Sequence, residues 1–459
     1  MRRLPLILIA AIVVLSFGLN ARMAANPRSG YQSADERSYG RLALNLAEHH
    51  SYGDRTRSVT DTLHWPPGAP FLFAAADLVA PSADSDRTND IPAAYWAQAL
   101  VSTGTTLATF ALALLLAGEW AGVAAAALVG FYPPLILATG EQLSEPLGAF
   151  LLTCAFLALA WAARRGRWPL YVLAGALFGL TALTRADLLL AGFLVAALLG
   201  VWAWRQATLR RGLAIAALVA GGAAVTMAPW IVLASARAGQ FVPITKGSAS
   251  ALFVGTYLPG NGTTVGMKRA LAPELKKQRP ALRGRGAMAI DATDFITLIA
   301  ARHPDLPRDA AVSKEARHNI VHYGTGDPVG FAGMMLNKVQ RMWSRYARGG
   351  ARHTSWEIRV WHILLVLASF AGLVLGLWRS RSAVLAAILL VALYSTALHT
   401  LVVSQARYNL PLMPALIAGG VAGWWVFVRA GALSRPARSR ARKSPPAPDR
   451  ERPASPAPA

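Results

Sequence analysis

The chain has 459 residues, 54% hydrophobic and 15% charged, with a formal net charge of +23. Soluble domains carry about 25% charged residues, so this composition excludes an ordinary soluble globule and selects a membrane protein. The excess of Lys and Arg does not indicate nucleic acid, because it gathers in short connections between apolar runs, where membrane topology accounts for it. The single cysteine, Cys154, excludes an internal disulfide and thiolate metal clusters.

A membrane span needs roughly 20 apolar residues. The first candidate, Leu4–Leu19, follows Met1-Arg2-Arg3 and reads as an uncleaved transmembrane helix, since Asn20-Ala21-Arg22-Met23-Ala24 is a poor cleavage site. Nine more candidates follow in order: Ala93–Ala117, Ala121–Thr139, Pro146–Ala163, Leu170–Thr184, Leu188–Trp204, Leu213–Ala234, Val360–Trp378, Val384–Val403 and Leu410–Val428. The expected fold is an all-α polytopic membrane protein with about ten transmembrane helices.

With the N-terminus in the cytoplasm, the inward connections hold Arg164-Arg165-Gly166-Arg167, Arg205 to Arg211, Arg379-Ser380-Arg381 and the tail from Arg429 through Lys443. That agreement predicts both termini inside. The expected organisation is an N-terminal membrane module over 1–234, a mixed outward segment over 235–357, C-terminal spans over 358–428 and a cytoplasmic tail over 429–459. The tail is rich in Arg, Pro, Ser and Ala and cannot bury enough apolar surface to fold.

The first outward loop, 21–92, carries the chemistry-bearing residues. Asp35 and Glu36 stand just before an amphipathic helix expected over Tyr39–Glu48, with Leu42, Ala43 and Leu46 on one face. Pro67–Ala80 is apolar but too short to span, and if it spanned every later basic cluster would fall outside. It is therefore expected to lie in the interface. Further along, Ala310–Tyr323 and Pro328–Ala347 read as helices in the long outward segment.

Carboxylates, arginines and a lipid-accessible membrane face suit transfer of a lipid-linked group. A general base must reach the attacking hydroxyl, a second carboxylate can stabilise an oxocarbenium-like transition state, and a phosphate leaving group is best held by Arg or Lys.

Several motifs occur in order: Asp35-Glu36-Arg37-Ser38-Tyr39, Tyr52-Gly53, Pro66-Pro67-Gly68-Ala69-Pro70, Leu143-Ser144-Glu145-Pro146-Leu147, Gly179-Leu180-Thr181-Ala182-Leu183-Thr184-Arg185, Ala228-Pro229-Trp230, Gly239-Gln240-Phe241-Val242-Pro243-Ile244 and Arg407-Tyr408-Asn409-Leu410-Pro411. Together they resemble the GT-C membrane glycosyltransferases over most of residues 1–430, nearest to bacterial relatives of the protein O-mannosyltransferases and of the aminoarabinose transferases that modify lipid A. The resemblance implies an inverting glycosyltransferase. The sugar leaves a polyprenyl-phosphate donor for an acceptor hydroxyl on a lipid, polysaccharide or protein, outside a bacterial cytoplasmic membrane. It assigns the base to Asp35. The aminoarabinose branch has a lysine before its proline pair, whereas this chain reads His64-Trp65-Pro66-Pro67, so lipid A is not implied as the acceptor.

The other candidates each have a plainer role beside the chemical one. Asp35 would otherwise cap the Tyr39 helix, and Glu36 would be a first-turn acid complementing the helix dipole rather than a catalytic partner. Glu145, at the outer end of a span, is a catalytic candidate or a cap. Arg185 contacts phosphate or pairs with Asp187. Arg407, with Tyr408, clamps phosphate or snorkels to headgroups. Lys246 is a third phosphate candidate. No cofactor is required; a divalent ion held by His64 with carboxylates is the alternative, and Asp84-Ser85-Asp86 only superficially matches a metal motif. A transporter or lipid-linked-sugar flippase is the competing class, but no internal repeat is visible.

Overall fold

The computed structural model describes residues 3–27, 33–53, 62–81, 89–345 and 355–433. Among these residues there are helices and no strands. Asp84-Ser85-Asp86 and the tail beyond 433 lie outside them.

The helices are α1 (Arg3–Ala25), α2 (Ala34–His49), α3 (Gly68–Val79), α4 (Pro92–Ala117), α5 (Glu119–Gly130), α6 (Pro133–Ala138), α7 (Glu145–Arg165), α8 (Trp168–Thr184), α9 (Ala191–Gln206) and α10 (Leu209–Ala238). Next come α11 (Ser248–Thr256), α12 (Thr264–Gln278), α13 (Ala292–Ala300), α14 (Arg308–Gly326) and α15 (Pro328–Ser344); α16 (Trp356–Ser380), α17 (Ala383–Leu401) and α18 (Met413–Leu433) follow.

Among the described residues, seven helical stretches are long and apolar enough to cross a membrane, and four shorter apolar helices accompany them. The expected span Ala121–Thr139 is divided: α5 stops at Gly130 and α6 restarts at Pro133. Pro133 and Pro134 bring no backbone N–H, so a continuous helix would lose hydrogen bonds there. The short apolar run expected over Pro67–Ala80 forms a helix, α3.

Small residues let the membrane helices approach closely. Gly372 and Gly376 of α16 face Gly420 and Gly423 of α18, and a Cβ on Gly423 would lie 1.9 Å from the Gly372 carbonyl oxygen. Between apolar helices in lipid, such packing replaces the hydrophobic drive available in water. Buried hydrogen bonds fix the same region. His362 of α16, wholly buried, pairs through Nδ1 with the Tyr132 hydroxyl at 2.6 Å. Asn409, just before α18, donates to the Met342 carbonyl of α15. The turn that carries Arg407 and Tyr408 is thereby anchored from below.

Helices α11 to α14 have their own core around Phe253, Met267, Leu271, Phe295, Ile299 and Val312. Lys338 of α15, completely buried, joins them to the membrane helices by donating to the carbonyls of Gly255 and Thr400. Burial pushes its ammonium down to about 7.

Candidate functional site

The helix polarity brings distant residues to one end of the bundle. Glu145 opens α7, Arg185 follows the end of α8, Asp187 sits in the single 3-10 turn Ala186–Leu188, His399 is near the end of α17, and Arg407 lies just before α18. Arg164 and Arg165 end α7, Arg205 ends α9, Arg210 and Arg211 begin α10, and Arg379 ends α16, all at the opposite ends of their helices.

A cavity of about 540 Å³ opens at the first end. Asp35, Glu145, Arg185, Lys246, Arg407 and Tyr408 all line it. Glu36 does not. It belongs to a capping box: its Oε2 accepts from Ser33 N–H at 2.6 Å, and its own N–H donates to Ser33 Oγ at 3.3 Å. With Ser33 as the N-cap, α2 begins five residues earlier than expected. Asp35 is not the cap, and its carboxylate sits in the first turn, where the helix dipole favours negative charge. Packing of Tyr39, Ala43 and Ala47 against Phe73 and Ala74 of α3 holds α2 over the cavity.

The Lys246 loop is positioned by backbone bonds. Trp230 Nε1 donates to the Ile244 carbonyl at 2.8 Å, and Lys246 N–H donates to the Leu63 carbonyl at 2.8 Å. Gly247 has φ of 104°, and a Cβ there would stand 2.3 Å from His64 Nδ1. Gly247→Val therefore meets both left-handed backbone strain, about 1–2 kcal/mol, and a clash. The expected outcome is folded protein with a displaced His64–Lys246 loop, seen as a lower melting midpoint.

The charged cluster is tightly paired. Arg185 directs Nε and Nη2 at both oxygens of Asp187, 3.1 and 3.2 Å away, and Nη1 at Glu145 Oε1, 3.1 Å away. It also lies over the Tyr408 ring, 5.2 Å from its centre. Arg407 Nη2 donates to Asp35 Oδ2, while its Nε lies 3.3 Å from Glu145 Oε1 and 3.1 Å from Gln405 Oε1. Three carboxylates thus surround two guanidinium groups.

Burial disfavours the Asp35 anion, but Arg407 beside it, helped by His64 and Trp65, outweighs burial and holds the carboxyl below its usual range. Asp35 still keeps 37% of its side chain open, so an incoming hydroxyl can reach it. Burial is the largest influence on Tyr408, whose hydroxyl is pushed up to about 12 and stays protonated at neutral pH. Lys246 also lines the cavity, with its Nζ 4.0 Å from Asp309 Oδ2.

Among the described residues, no three His, Cys, Asp or Glu side chains are grouped to hold a metal ion. Arg407 occupies the space between Asp35 and Glu145 where a bridging ion would sit. His49 and His50 lie outside the cavity lining. His399 was not singled out from the sequence. It lines the cavity, donates from Nδ1 to the Ser395 carbonyl at 2.8 Å and turns Nε2 toward Asp187, 3.7 Å away. A lone histidine in an apolar run was the available signal.

No protein-family model matches the chain, and no curated protein matches it in sequence. Solved structures do match its fold. The apo oligosaccharyltransferase of Archaeoglobus fulgidus is 16% identical with a TM-score of 0.54, and the match covers 93% of this chain and 51% of that one. The same organism's AglB, in complex with an inhibitory peptide and a dolichol-phosphate, is 15% identical at 0.54, covering 94% and 52%. ArnT from Cupriavidus metallidurans bound to undecaprenyl phosphate gives 18% identity and 0.38, covering 91% and 78%. The chain thus spans about half the length of the oligosaccharyltransferases it matches. Its fold is the GT-C fold of membrane glycosyltransferases.

Proposed function

We propose that this protein is an inverting glycosyltransferase that moves a hexosyl or pentosyl unit from a polyprenyl phosphate to an acceptor hydroxyl on the outer face of a bacterial cytoplasmic membrane. The observation that carries this reading is the convergence of Asp35, Glu145, Arg185, Lys246, Arg407 and Tyr408, drawn from across the chain, on one cavity. The basic clusters at the opposite helix ends favour an outward-facing cavity by the positive-inside rule.

In this reading the acceptor hydroxyl attacks the anomeric carbon while its proton passes to Asp35. The bond from that carbon to the phosphate oxygen breaks, and its electron pair leaves on the phosphate. Base assistance of this kind contributes about 10²–10⁴-fold. Lys246 lines the cavity together with the two arginines and is the lysine we assign to the phosphate. Arg407 adds Nη1, which takes no part in its bonds to Asp35, Glu145 and Gln405. The apolar wall, with Leu189, Phe241, Leu398 and Val402, suits the first isoprene units of the lipid.

Lys246→Gln separates donor binding from chemistry. Binding of undecaprenyl phosphate to the purified protein is expected to weaken about tenfold or more, as one charge-assisted contact worth roughly 1.5–3 kcal/mol is lost. Unchanged affinity would remove Lys246 from the donor site.

A further inference from the structure

The two arginines of the cavity use the same edge of the guanidinium differently. Arg185 closes its Nε–Nη2 edge on a single carboxylate, taking both oxygens of Asp187. Arg407 splits that edge: Nε donates to Gln405 Oε1, with Glu145 Oε1 3.3 Å away, and Nη2 holds Asp35 Oδ2. Glu145 consequently has one oxygen shared between two arginines and another, Oε2, that is buried with no hydrogen-bond partner. A buried carboxylate oxygen without a donor is more costly than a neutral orphan. The resting arrangement leaves this oxygen unsatisfied next to a guanidinium edge able to satisfy it.

We propose that Arg407 closes its fork on both oxygens of Glu145 when substrate occupies the cavity, releasing Asp35 to the acceptor hydroxyl. Glu145 is then a positioning residue that receives Arg407, not a second carboxylate of the chemistry. The inference rests on reading Asp35 as the base. It resolves a tension within that reading, because a carboxylate held by an arginine is a poor proton acceptor. In the exchange Asp35 trades Nη2–H for the hydroxyl, the orphan oxygen gains Nη2–H, and Nε–H turns from Gln405 Oε1 to Glu145 Oε1, 3.3 Å away. Bidentate pairing is the geometry that Arg and carboxylate groups favour. A phosphate near Lys246 would draw the outward Nη1 of Arg407 and favour the closed state. The groups facing Asp35 are Arg407 and Tyr408 from the turn before α18, His64 and Trp65 from the preceding loop, Glu145 from α7, and Tyr39 from its own helix.

The test follows the Asp35 carboxyl by infrared titration of the purified full-length protein, its band assigned as the one missing from Asp35→Asn. With undecaprenyl phosphate bound, the midpoint should rise by roughly 1–3 pH units as the neighbouring cation departs. The charge of the phosphate would itself raise the midpoint, so the decisive comparison is Glu145→Gln, which offers the fork one acceptor oxygen instead of two. The rise should shrink strongly in Glu145→Gln and be partly restored in Glu145→Asp. A rise of the same size in Glu145→Gln would overturn the proposal, since the phosphate charge alone would then explain it. Should Glu145→Gln not yield monodisperse protein, Arg407→Lys serves, because a lysine has no fork to close, and a full rise there overturns the proposal equally. Failure of the base assignment is distinguishable: Asp35→Asn would then retain transfer, whatever Arg407 does.

Discussion

Asp35→Asn is expected to lower sugar transfer by about 10²–10⁴-fold while the protein still inserts and purifies as a monodisperse species. The substitution keeps the shape and one acceptor oxygen for Arg407, and it leaves Tyr39, Ala43 and Ala47 of α2 packed on α3, so loss of fold is not the expected route to inactivity. The pH behaviour sharpens the expectation. The carboxyl is held below its ordinary value, so in the free enzyme the acid limb of kcat/KM should fall below the usual carboxylate range near 3.9. The linkage runs the same way. The Asp35–Arg407 pair adds stability that is present above the unfolded carboxyl value and lost as pH falls through the lower folded one. A fully active Asp35→Asn enzyme would place the base elsewhere.

Arg185→Met is expected to give the largest stability loss. Arg185 is 6% exposed and faces both Asp187 and Glu145, so its removal leaves two carboxylates short of a partner. Breaking a buried ion pair from one side typically costs about 3–5 kcal/mol. Low yield and a sharply lower melting midpoint in detergent should result. The double variant Arg185→Met with Asp187→Leu should recover part of the loss, because it removes the stranded charge together with its partner. A double variant as damaged as the sum of the singles would show that the pair is not coupled as the geometry requires. Gly148 of α7 makes room for Arg185: a Cβ there would stand 2.9 Å from Arg185 Cγ.

Much of the fold was legible because lipid solvation imposes long apolar runs. The runs Leu4–Leu19 and Ala93–Ala117 became α1 and α4 with little change. Misreadings fell where local chemistry overrode hydropathy. Pro133-Pro134 divides one expected span, and the signal was in plain view. Glu36 paired with Ser33 is an S-x-x-E capping box. Reading that spacing first would have moved α2 back to Ala34 and removed Glu36 from the catalytic candidates.

The site was legible as a set of residues but not as a set of contacts. Asp35 and Arg407 stand 372 positions apart, and nothing in either local sequence announces the other. Only the antiparallel stacking of the helices brings them together. The same applies to Glu145, whose single shared oxygen links both arginines. Residue type and membrane depth nominate such groups, whereas partner choice is a property of packing. His399 shows the reverse case: its depth in an apolar run was a sufficient cue by itself.

The most direct test of the account is covalent transfer from a panel of radiolabelled polyprenyl-phosphate hexoses and pentoses, in membranes containing the wild-type protein, Asp35→Asn, or neither. The account predicts label appearing on an acceptor with at least one donor in wild-type membranes, and at background in the other two. Label that crosses the membrane still attached to its lipid, with no acceptor labelled by any donor, would contradict it.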